Sequence, residues 1–546
     1  MQIIEANIVN IFDNTVFHGE ISIHEGRIYQ IKKLGDTKEH LQYAMPGFID
    51  AHVHVESSML TPSQFGKLAV VHGTVGTVSD PHEIANVLGK EGVKFMIENG
   101  KTIPFKFCFG APSCVPATSF ETAGAQITSE DIADLLASED IGYLAEMMNY
   151  PGAIHEDPEV MSKIAIAKKY FKPIDGHAPG LRGEDAVKYF SHGISTDHEC
   201  FTFEEAEEKL NLGVKILIRE GSAAKNFDAL IGLAENKSSE MMFCSDDKHP
   251  DDLVEGHINL LVKRAVAKGL NLFKALRMAS LNPVRHYNLK IGLLREGEAA
   301  DFIMVDNLED LNVTQTYIDG KLVAQDGVSM IENITSKTPN QFNAKKIEIG
   351  QLAMKFEENT RSIRVIQVNE GQLVTDEFLF EINPNAIGFR EDLRKADILK
   401  IVVYNRYTNA EPAIGYIKGF GLRTGAIASS VAHDSHNIIA VGVDDKAIMD
   451  AINLVVREKG GISAVGIDTM GVLPLPVAGI MSNKDGYEVA KDYTQIDQFA
   501  KDEIGCVLKS PFMSLSFMAL LVIPSLKLSD KGLFDGNKFE FVSLAQ

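Results

Sequence analysis

The feature that most constrains the fold is a series of eight short apolar segments in the central part of the chain, each ending in polar or ionisable residues. Most are followed by a helical stretch, and they occupy residues 48–54, 75–80, 105–112, 141–149, 174–177, 193–198, 214–220 and 241–246. Eight β/α units within about 240 residues are typical of a (β/α)8 or TIM-like barrel, an α/β fold with catalytic groups at the C-terminal ends of its strands. The sequence therefore predicts such a barrel over residues 45–287, with a functional site where the ionisable residues lie.

The segments on either side of the predicted barrel have a different pattern. Residues 21–31 alternate apolar and polar side chains around Glu25 and Gly26, which predicts a hairpin. Similar pieces recur at 300–306 and 316–323, so we expect a small β-sandwich domain built from residues 1–44 and 288–344. Residues 345–546 mix strand-like runs with a helical run over 445–457, and we expect a C-terminal α+β domain that packs against the barrel.

Charge and cysteine content limit which binding partners and which cellular location we expect. Asp and Glu total 75 against 53 Lys and Arg, and a net charge of −22 repels phosphate backbones, so we expect no nucleic-acid partner. Five cysteines without a CxxC pair, together with an N-terminus that lacks a signal-peptide pattern, indicate a cytoplasmic protein. The most apolar late run, residues 512–523, is too short to span a bilayer, which predicts a buried helix or strand and no membrane association.

A pair of histidines ends the first predicted strand. His52 and His54 lie two apart, and residues two apart in a strand face the same side. Both side chains would therefore point into the barrel mouth, where imidazoles bind metals such as Zn, Fe and Mn. Taken alone, the pair fits two core or surface histidines at least as well.

Four further strand ends carry residues that can bind metal. Glu146 ends the fourth strand, His177 the fifth and His198 the sixth, while Asp246 and Asp247 follow the eighth. Each alone is better explained as a helix start, a salt bridge, a core histidine or a turn. Their common position at strand ends, with His52 and His54, predicts one metal site.

The motifs around these residues resemble a known family. The segments PGFIDAHVHVESS, DGHAPG, DHE and CSDD are similar to those of the amidohydrolase superfamily. With SDPHEIANVLG and LAEMMNYPGAI, they resemble the bacterial type of adenine deaminase over essentially the whole chain. The resemblance implies a hydrolase of purine salvage or catabolism that converts adenine to hypoxanthine and ammonia, using two divalent cations, with Mn or Fe preferred and Zn as an alternative.

The resemblance also implies how the ligands are shared. His52, His54, Glu146 and Asp246 would hold one cation, and Glu146, His177 and His198 would hold the second. We favour Asp246 over Asp247 because the first acid after the strand is the usual ligand. Two such cations would activate a water molecule for attack on C6 of the purine.

Proton transfer needs further acidic groups. We expect Asp246 to take a proton from the nucleophile and give it to the leaving amine. A second acid should protonate N1, and the candidates are Glu83 and Glu220, whose alternative roles are a helix cap and a structural ion pair. His82 is a further catalytic candidate, while Asp80 and Arg219 are candidates for substrate binding. The alternative for His82 and Asp80 is that they only order the loop after the second strand through a turn that proline begins.

A histidine-rich segment lies far from the barrel in the sequence. We expect His433, Asp434 and His436 to cap the substrate, although a polar turn between two strands is the alternative. The glycine-rich stretch 419–425 before it lacks the Lys-Ser/Thr pattern of a phosphate-binding loop, which excludes nucleotide binding there.

Two other functions compete with this interpretation. An amidohydrolase acting on a cyclic amide or another amino-heterocycle would have the same metal site. A non-enzymatic scaffold would have lost metal ligands, and all six are present here. A homodimer is common among such barrels, although the sequence alone does not fix the oligomeric state.

Overall fold

The first strands of the chain form part of a sheet outside the barrel. The computed structural model describes residues 1–354, 356–357, 360–382 and 389–546. It begins with β1 (Gln2–Asn10), β2 (Thr15–His24), β3 (Arg27–Gly35) and β4 (Tyr43–Pro46). Glu25 and Gly26 connect β2 to β3 with φ of 49° and 78°, the positive values that a two-residue hairpin turn requires. The predicted hairpin is confirmed.

Eight short parallel strands follow and close into a barrel. They are β5 (Phe48–Val53), β6 (Thr74–Ser79), β7 (Lys106–Ala111), β8 (Ile141–Met147), β9 (Ile174–Gly176), β10 (Thr196–Asp197), β11 (Lys215–Arg219) and β12 (Met241–Cys244). They pair in chain order from β5 to β9 and from β10 to β12. The Ser195 amide donates to the Ile174 carbonyl at 2.9 Å, and the Asp246 amide donates to the His52 carbonyl at 2.9 Å. These bonds join the two sheets at both edges, so the predicted barrel is confirmed.

Helices connect the barrel strands. They are α1 (Pro62–Ala69), α2 (His82–Leu88), α3 (Lys90–Gly100), α4 (Ser129–Ala137), α5 (Tyr150–Ile154), α6 (Pro158–Lys169), α7 (Gly183–Ser191), α8 (Phe203–Asn211), α9 (Phe227–Leu230), α10 (Ala234–Lys237), α11 (Pro250–Glu255), α12 (Ile258–Ala267), α13 (Leu272–Met278) and α14 (Leu281–Tyr287). Local sequence explains their starts: at α6 the Asp157 side chain accepts from the amides of Glu159 and Val160, and proline occupies the first helical position.

The chain then returns to the first sheet. The strands β13 (Phe302–Val305), β14 (Val313–Ile318), β15 (Lys321–Gln325) and β16 (Val328–Ser329) complete an eight-stranded sheet with the order β16-β15-β14-β13-β4-β1-β2-β3. β4 lies between β1 and β13, so the sheet is built from both flanks of the barrel. Because only Gly47 separates β4 from β5, this sheet anchors the first barrel strand. The predicted domain limits stay predictions.

The C-terminal part is a mixed α and β unit. Its elements are β17 (Ser362–Val368), β18 (Thr375–Glu381), α15 (Phe389–Lys395), β19 (Ile398–Tyr404), β20 (Ala413–Lys418), β21 (Ala426–Ser429), β22 (Ile438–Gly442), α16 (Asp445–Glu458), β23 (Gly461–Val465), β24 (Met470–Pro474), α17 (Gly486–Asp502), α18 (Pro511–Ser516), β25 (Leu526–Ser529), β26 (Gly532–Asp535) and β27 (Glu540–Phe541). β17 to β24 form one sheet, and the last three strands form another. α18 is buried, in agreement with the prediction for 512–523.

This unit packs on the mouth of the barrel. The Ser482 amide donates to the Met59 carbonyl at 2.8 Å, and the Gly486 amide donates to Gln64 Oε1 at 3.0 Å. One hydrophobic core runs through both parts. Among the described residues, no helix combines the length and apolar character needed to cross a bilayer. The oligomeric state stays open, and the cytoplasmic location stays a prediction.

Candidate functional site

The six residues predicted to bind metal converge inside the C-terminal mouth of the barrel. All are buried, and each lies on or just after a different strand except for the first two, which share β5 and its end. They are His52, His54, Glu146, His177, His198 and Asp246. The alternation of side chains along β5 explains why His52 and His54 face the same cavity.

The atoms of the first group lie at the spacing that a shared cation would impose. His52 Nε2 is 3.2 Å from His54 Nε2, and Asp246 Oδ1 is 3.1 Å from His54 Nε2 and 3.5 Å from His52 Nε2. Ligands about 2.1 Å from a tetrahedral metal are separated by roughly 3.4 Å from one another. The three side chains therefore fit around one ion.

Glu146 connects this group to a second one. Its Oε1 lies 3.7 Å from His54 Nε2, whereas its Oε2 lies 3.2 Å from His177 Nδ1 and 3.1 Å from His198 Nε2. Oε2 also lies 3.6 Å from His52 Nε2 of the first group, so the carboxylate lies between the two groups and contacts histidines of both. This geometry suits a carboxylate that bridges two cations.

The proton on His54 provides a test of whether a cation fits. Its Nδ1 is 3.1 Å from the Asp80 carbonyl oxygen, which only accepts, so Nδ1 carries the proton. In the neutral ring the Nε2 lone pair then faces His52 Nε2 at 3.2 Å. A positive ion between these nitrogens satisfies both, as in metal sites whose histidines are oriented by a backbone carbonyl. The residues present fit a divalent-metal site.

Electrostatics keeps the two carboxylates ionised. Burial disfavours the Asp246 anion, but the charge of Arg219 and the contacts with His52 and His54 outweigh it and lower the pKa of Asp246 well below its ordinary value. Burial likewise disfavours the Glu146 anion, and the charge of His177 with hydrogen bonds from the histidines lowers its pKa too. Both groups are therefore anionic at neutral pH.

Asp246, rather than Asp247, faces the histidines. Asp246 has a φ of 56°, in the left-handed region that non-glycine residues rarely adopt and that is often found at functional sites. Asp247 points elsewhere: its Oδ1 lies 2.6 Å from the Ser57 hydroxyl, which also lies 2.7 Å from Glu83 Oε1. The geometry supports the choice of Asp246 as the metal-binding acid.

A cavity above this cluster has a floor from the barrel and a cover from the C-terminal unit. The floor residues are His54, His82, Glu83, Glu146, Met148, His177, His198, Glu199, Asp246 and Asp247. The cover, called the roof below, consists of Leu373, His433, Asp434, Phe517 and Leu520. The site is thus completed by residues that are distant in sequence.

Several predicted catalytic and binding residues meet at the junction of floor and roof. His433 Nδ1 lies 3.2 Å from Glu83 Oε1. His82 Nδ1 lies 3.1 Å from Asp80 Oδ2, and His82 Nε2 lies 3.7 Å from Asp434 Oδ1. Asp80 therefore supports His82 from behind, outside the cavity lining.

Other predicted residues do not reach the cavity. Arg219, predicted to bind substrate, lies beneath Asp246 and is ion-paired with it and with Glu199. Glu220, a candidate acid, points toward Arg264 on α12, with its Oε2 3.1 Å from Nη1. His436 is fully buried behind the lining and accepts a hydrogen bond from the Ala432 amide at its Nδ1.

The sequence interpretation missed other residues of the cavity. Glu199 follows His198 in the same motif, and its Oε1 lies 3.5 Å from His198 Nε2. It could have been found as the acid beside a predicted ligand. Leu373, Phe517 and Leu520 carry no local signal, because apolar residues in a helical or loop segment predict burial without saying what they cover.

Comparisons with known proteins match both parts of the chain. A model described as the amidohydrolase family matches residues 43–323, and one described as the adenine deaminase C-terminal domain matches residues 372–540. An adenine deaminase of Sulfurovum sp. (strain NBC37-1) is 51% identical over 98% of each chain. An adenine deaminase of Methanosarcina barkeri (strain Fusaro) is 51% identical over 100% of this chain and 99% of its own. Among solved structures, a β-aspartyl dipeptidase of Fervidobacterium islandicum is 16% identical with a TM-score of 0.47, covering 61% of this chain and 99% of its own.

Proposed function

Because the chain belongs to the adenine deaminase family, we propose that it hydrolyses adenine to hypoxanthine and ammonia at the cluster beneath the roof. The observation that carries this is Glu146, whose two oxygens face two groups of buried histidines in a chain that is similar to adenine deaminases over its whole length. That full-length similarity disfavours an amidohydrolase of cyclic amides. A scaffold without catalysis is disfavoured by the complete set of ligands.

The ligand set accommodates two divalent cations, with Mn or Fe preferred. His52, His54, Glu146 and Asp246 would hold one, and Glu146 would share the other with His177 and His198. Such ions lower the pKa of a bound water molecule toward neutrality and so supply the nucleophile for C6 of adenine.

Asp246 is placed to move a proton. Arg219 holds its Oδ2, which leaves Oδ1 facing His52, His54 and the cavity. In the reaction this carboxylate accepts a proton as the C6–oxygen bond forms and returns it to the amino group, which leaves as ammonia. Arg219 is a positioning residue that orients the carboxylate from below.

We assign the protonation of N1 of adenine to the pair formed by Glu83 and His433. Burial disfavours both charges, but the charge and hydrogen bond of the partner outweigh it, which lowers the pKa of Glu83 and raises the pKa of His433 to about 9. The pair therefore holds one proton at neutral pH. We propose that this proton reaches N1 as electron density moves onto the ring during attack.

Ammonia release from adenine tests the reaction. Protein purified with added Mn should release ammonia from adenine, whereas adenosine and a cyclic amide run alongside should yield none. A chelator should abolish the activity, because the nucleophile depends on bound metal. Absence of ammonia from adenine, in protein that holds two metal equivalents, would refute the substrate while retaining a hydrolase.

A matched pair of variants distinguishes the two candidate acids. Glu83→Gln should lower kcat/KM by about 10²-fold, the order expected for losing one proton-transfer group. Glu220→Gln should change it by less than about twofold, because its partly buried carboxylate pairs with Arg264 outside the cavity lining. The reverse pattern, measured by steady-state ammonia release, would transfer the role to Glu220.

A further inference from the structure

A buried lysine without an acidic partner lies behind the roof. Lys527, on β25, has no exposed surface, and its Nζ donates to the carbonyl oxygens of Leu373 at 2.7 Å and Phe517 at 3.1 Å. Within the part of the chain that the structure describes, no carboxylate forms an ion pair with it. Burial alone lowers the pKa of Lys527 to about 7.

Such a lysine is costly for stability. Taking an ammonium group out of water without a counter-ion carries a desolvation penalty, whereas an unbranched apolar side chain such as methionine would fill the same space without one. What lysine adds here is a pair of hydrogen bonds to two backbone carbonyls. The function of the residue should therefore be sought in what those carbonyls belong to.

Both carbonyls belong to residues of the roof. Leu373 precedes β18 and Phe517 follows α18, so Lys527 connects two separate segments that cover the cavity. The Phe517 ring stacks on the ring of His433, with centroids 4.7 Å apart and planes inclined by 17°. The His433 amide also donates to the Ser516 carbonyl at 3.0 Å. Displacement of the Phe517 segment would therefore move His433 away from Glu83.

We propose that Lys527 is a positioning residue that holds the two roof segments together and thereby sets the affinity of the site for the purine base. It acts on the reaction only through Leu373, Phe517 and His433. The inference rests on the proposed deamination for its substrate, but the contact between the segments is independent of that reaction.

The test compares Lys527→Met with a matched lysine elsewhere. Lys172 also donates to backbone carbonyls, including those of Leu136 and Ser138, at the N-terminal end of the barrel, opposite the roof. Lys527→Met should raise KM for adenine by about tenfold, the order expected from losing hydrogen bonds that order a site. It should leave the metal content unchanged, and kcat should fall as well because His433 shifts away from Glu83, whereas Lys172→Met should change neither KM nor kcat.

Amide hydrogen exchange provides a second measurement, which does not depend on enzymatic activity. In Lys527→Met, amides of residues 370–376 and 510–520 should exchange faster than in the wild type, and those of the barrel strands should not. A lower melting temperature with unchanged KM and unchanged exchange in both segments would reduce Lys527 to a packing role and overturn the proposal. If the methionine variant does not fold, Lys527→Gln, whose neutral amide lies one bond closer to the backbone than the ammonium group, should show the same rise in KM and the same faster exchange to a smaller degree. A wild type that releases no ammonia from adenine would refute the substrate, while the exchange experiment would still decide the role of Lys527.

Discussion

Asp246→Asn should lower kcat for adenine deamination by about 10³-fold or more. The substitution removes the carboxylate that we propose to transfer the proton and that faces His52 and His54, and loss of a general acid–base group alone costs about 10²–10⁴-fold. An amide cannot accept and return a proton at neutral pH. Steady-state ammonia release, with metal content determined on the same sample, measures the effect.

The adjacent acid provides the matched control. Asp247→Asn makes the same chemical change one residue later, at a side chain that contacts Ser57 rather than the histidines. It should retain the wild-type metal content, whereas Asp246→Asn should not. Near-normal turnover in Asp246→Asn, or loss of metal in Asp247→Asn alone, would show that the two roles have been assigned to the wrong residue.

Glu146→Gln should lose one of two metal equivalents and most of the activity. The amide has one neutral oxygen in place of two charged ones, so it cannot face His54 on one side and His177 and His198 on the other. Elemental analysis after removal of loosely bound ions measures the loss. Full occupancy of both positions in this variant would contradict the bridging role.

Glu121 is a suitable control for that substitution. It is a buried carboxyl group outside the cavity lining, and burial together with the nearby charge of Asp434 raises its pKa to about 8. Because Glu121 is therefore largely neutral at pH 7, Glu121→Gln changes little electrostatically. It should retain the wild-type metal content. Any loss of metal in Glu146→Gln then reflects the position of that residue rather than the replacement of a carboxyl group by an amide.

The sequence predicted the barrel and its cluster for a physical reason. Parallel strands that alternate with helices bring their C-terminal ends to one edge, so residues far apart in the chain can be assigned to one site from their position at strand ends alone. Glu146 and His198 are examples, since each alone is explained at least as well by a structural role. The structure places Glu146 Oε2 3.1 Å from His198 Nε2 and 3.6 Å from His52 Nε2.

The same reasoning could not say which way each side chain points. Arg219 and Glu220 are neighbours at the end of β11, and neighbouring residues in a strand face opposite sides. They could not both line the mouth, and in the structure Arg219 turns inward beneath Asp246 while Glu220 turns out toward Arg264. Strand-end position predicts proximity, and only the register of the strand decides orientation.

The roof could not be predicted because its contacts are long-range. Its apolar members, such as Phe517, become site residues only through the packing of the C-terminal unit on the barrel. His433 and Asp434 were found because ionisable residues in a compact cluster are unusual, but their partners on the barrel, Glu83 for His433 and His82 for Asp434, were not predictable from spacing.

The roof also has a consequence for substrate entry and product release. None of its five residues is more than 4% exposed, so the roof shields a base bound against the floor from bulk water on that side. If adenine and hypoxanthine pass on the roof side, the roof segments must move relative to the barrel in every turnover, and motions of this kind set the rate of many enzymes.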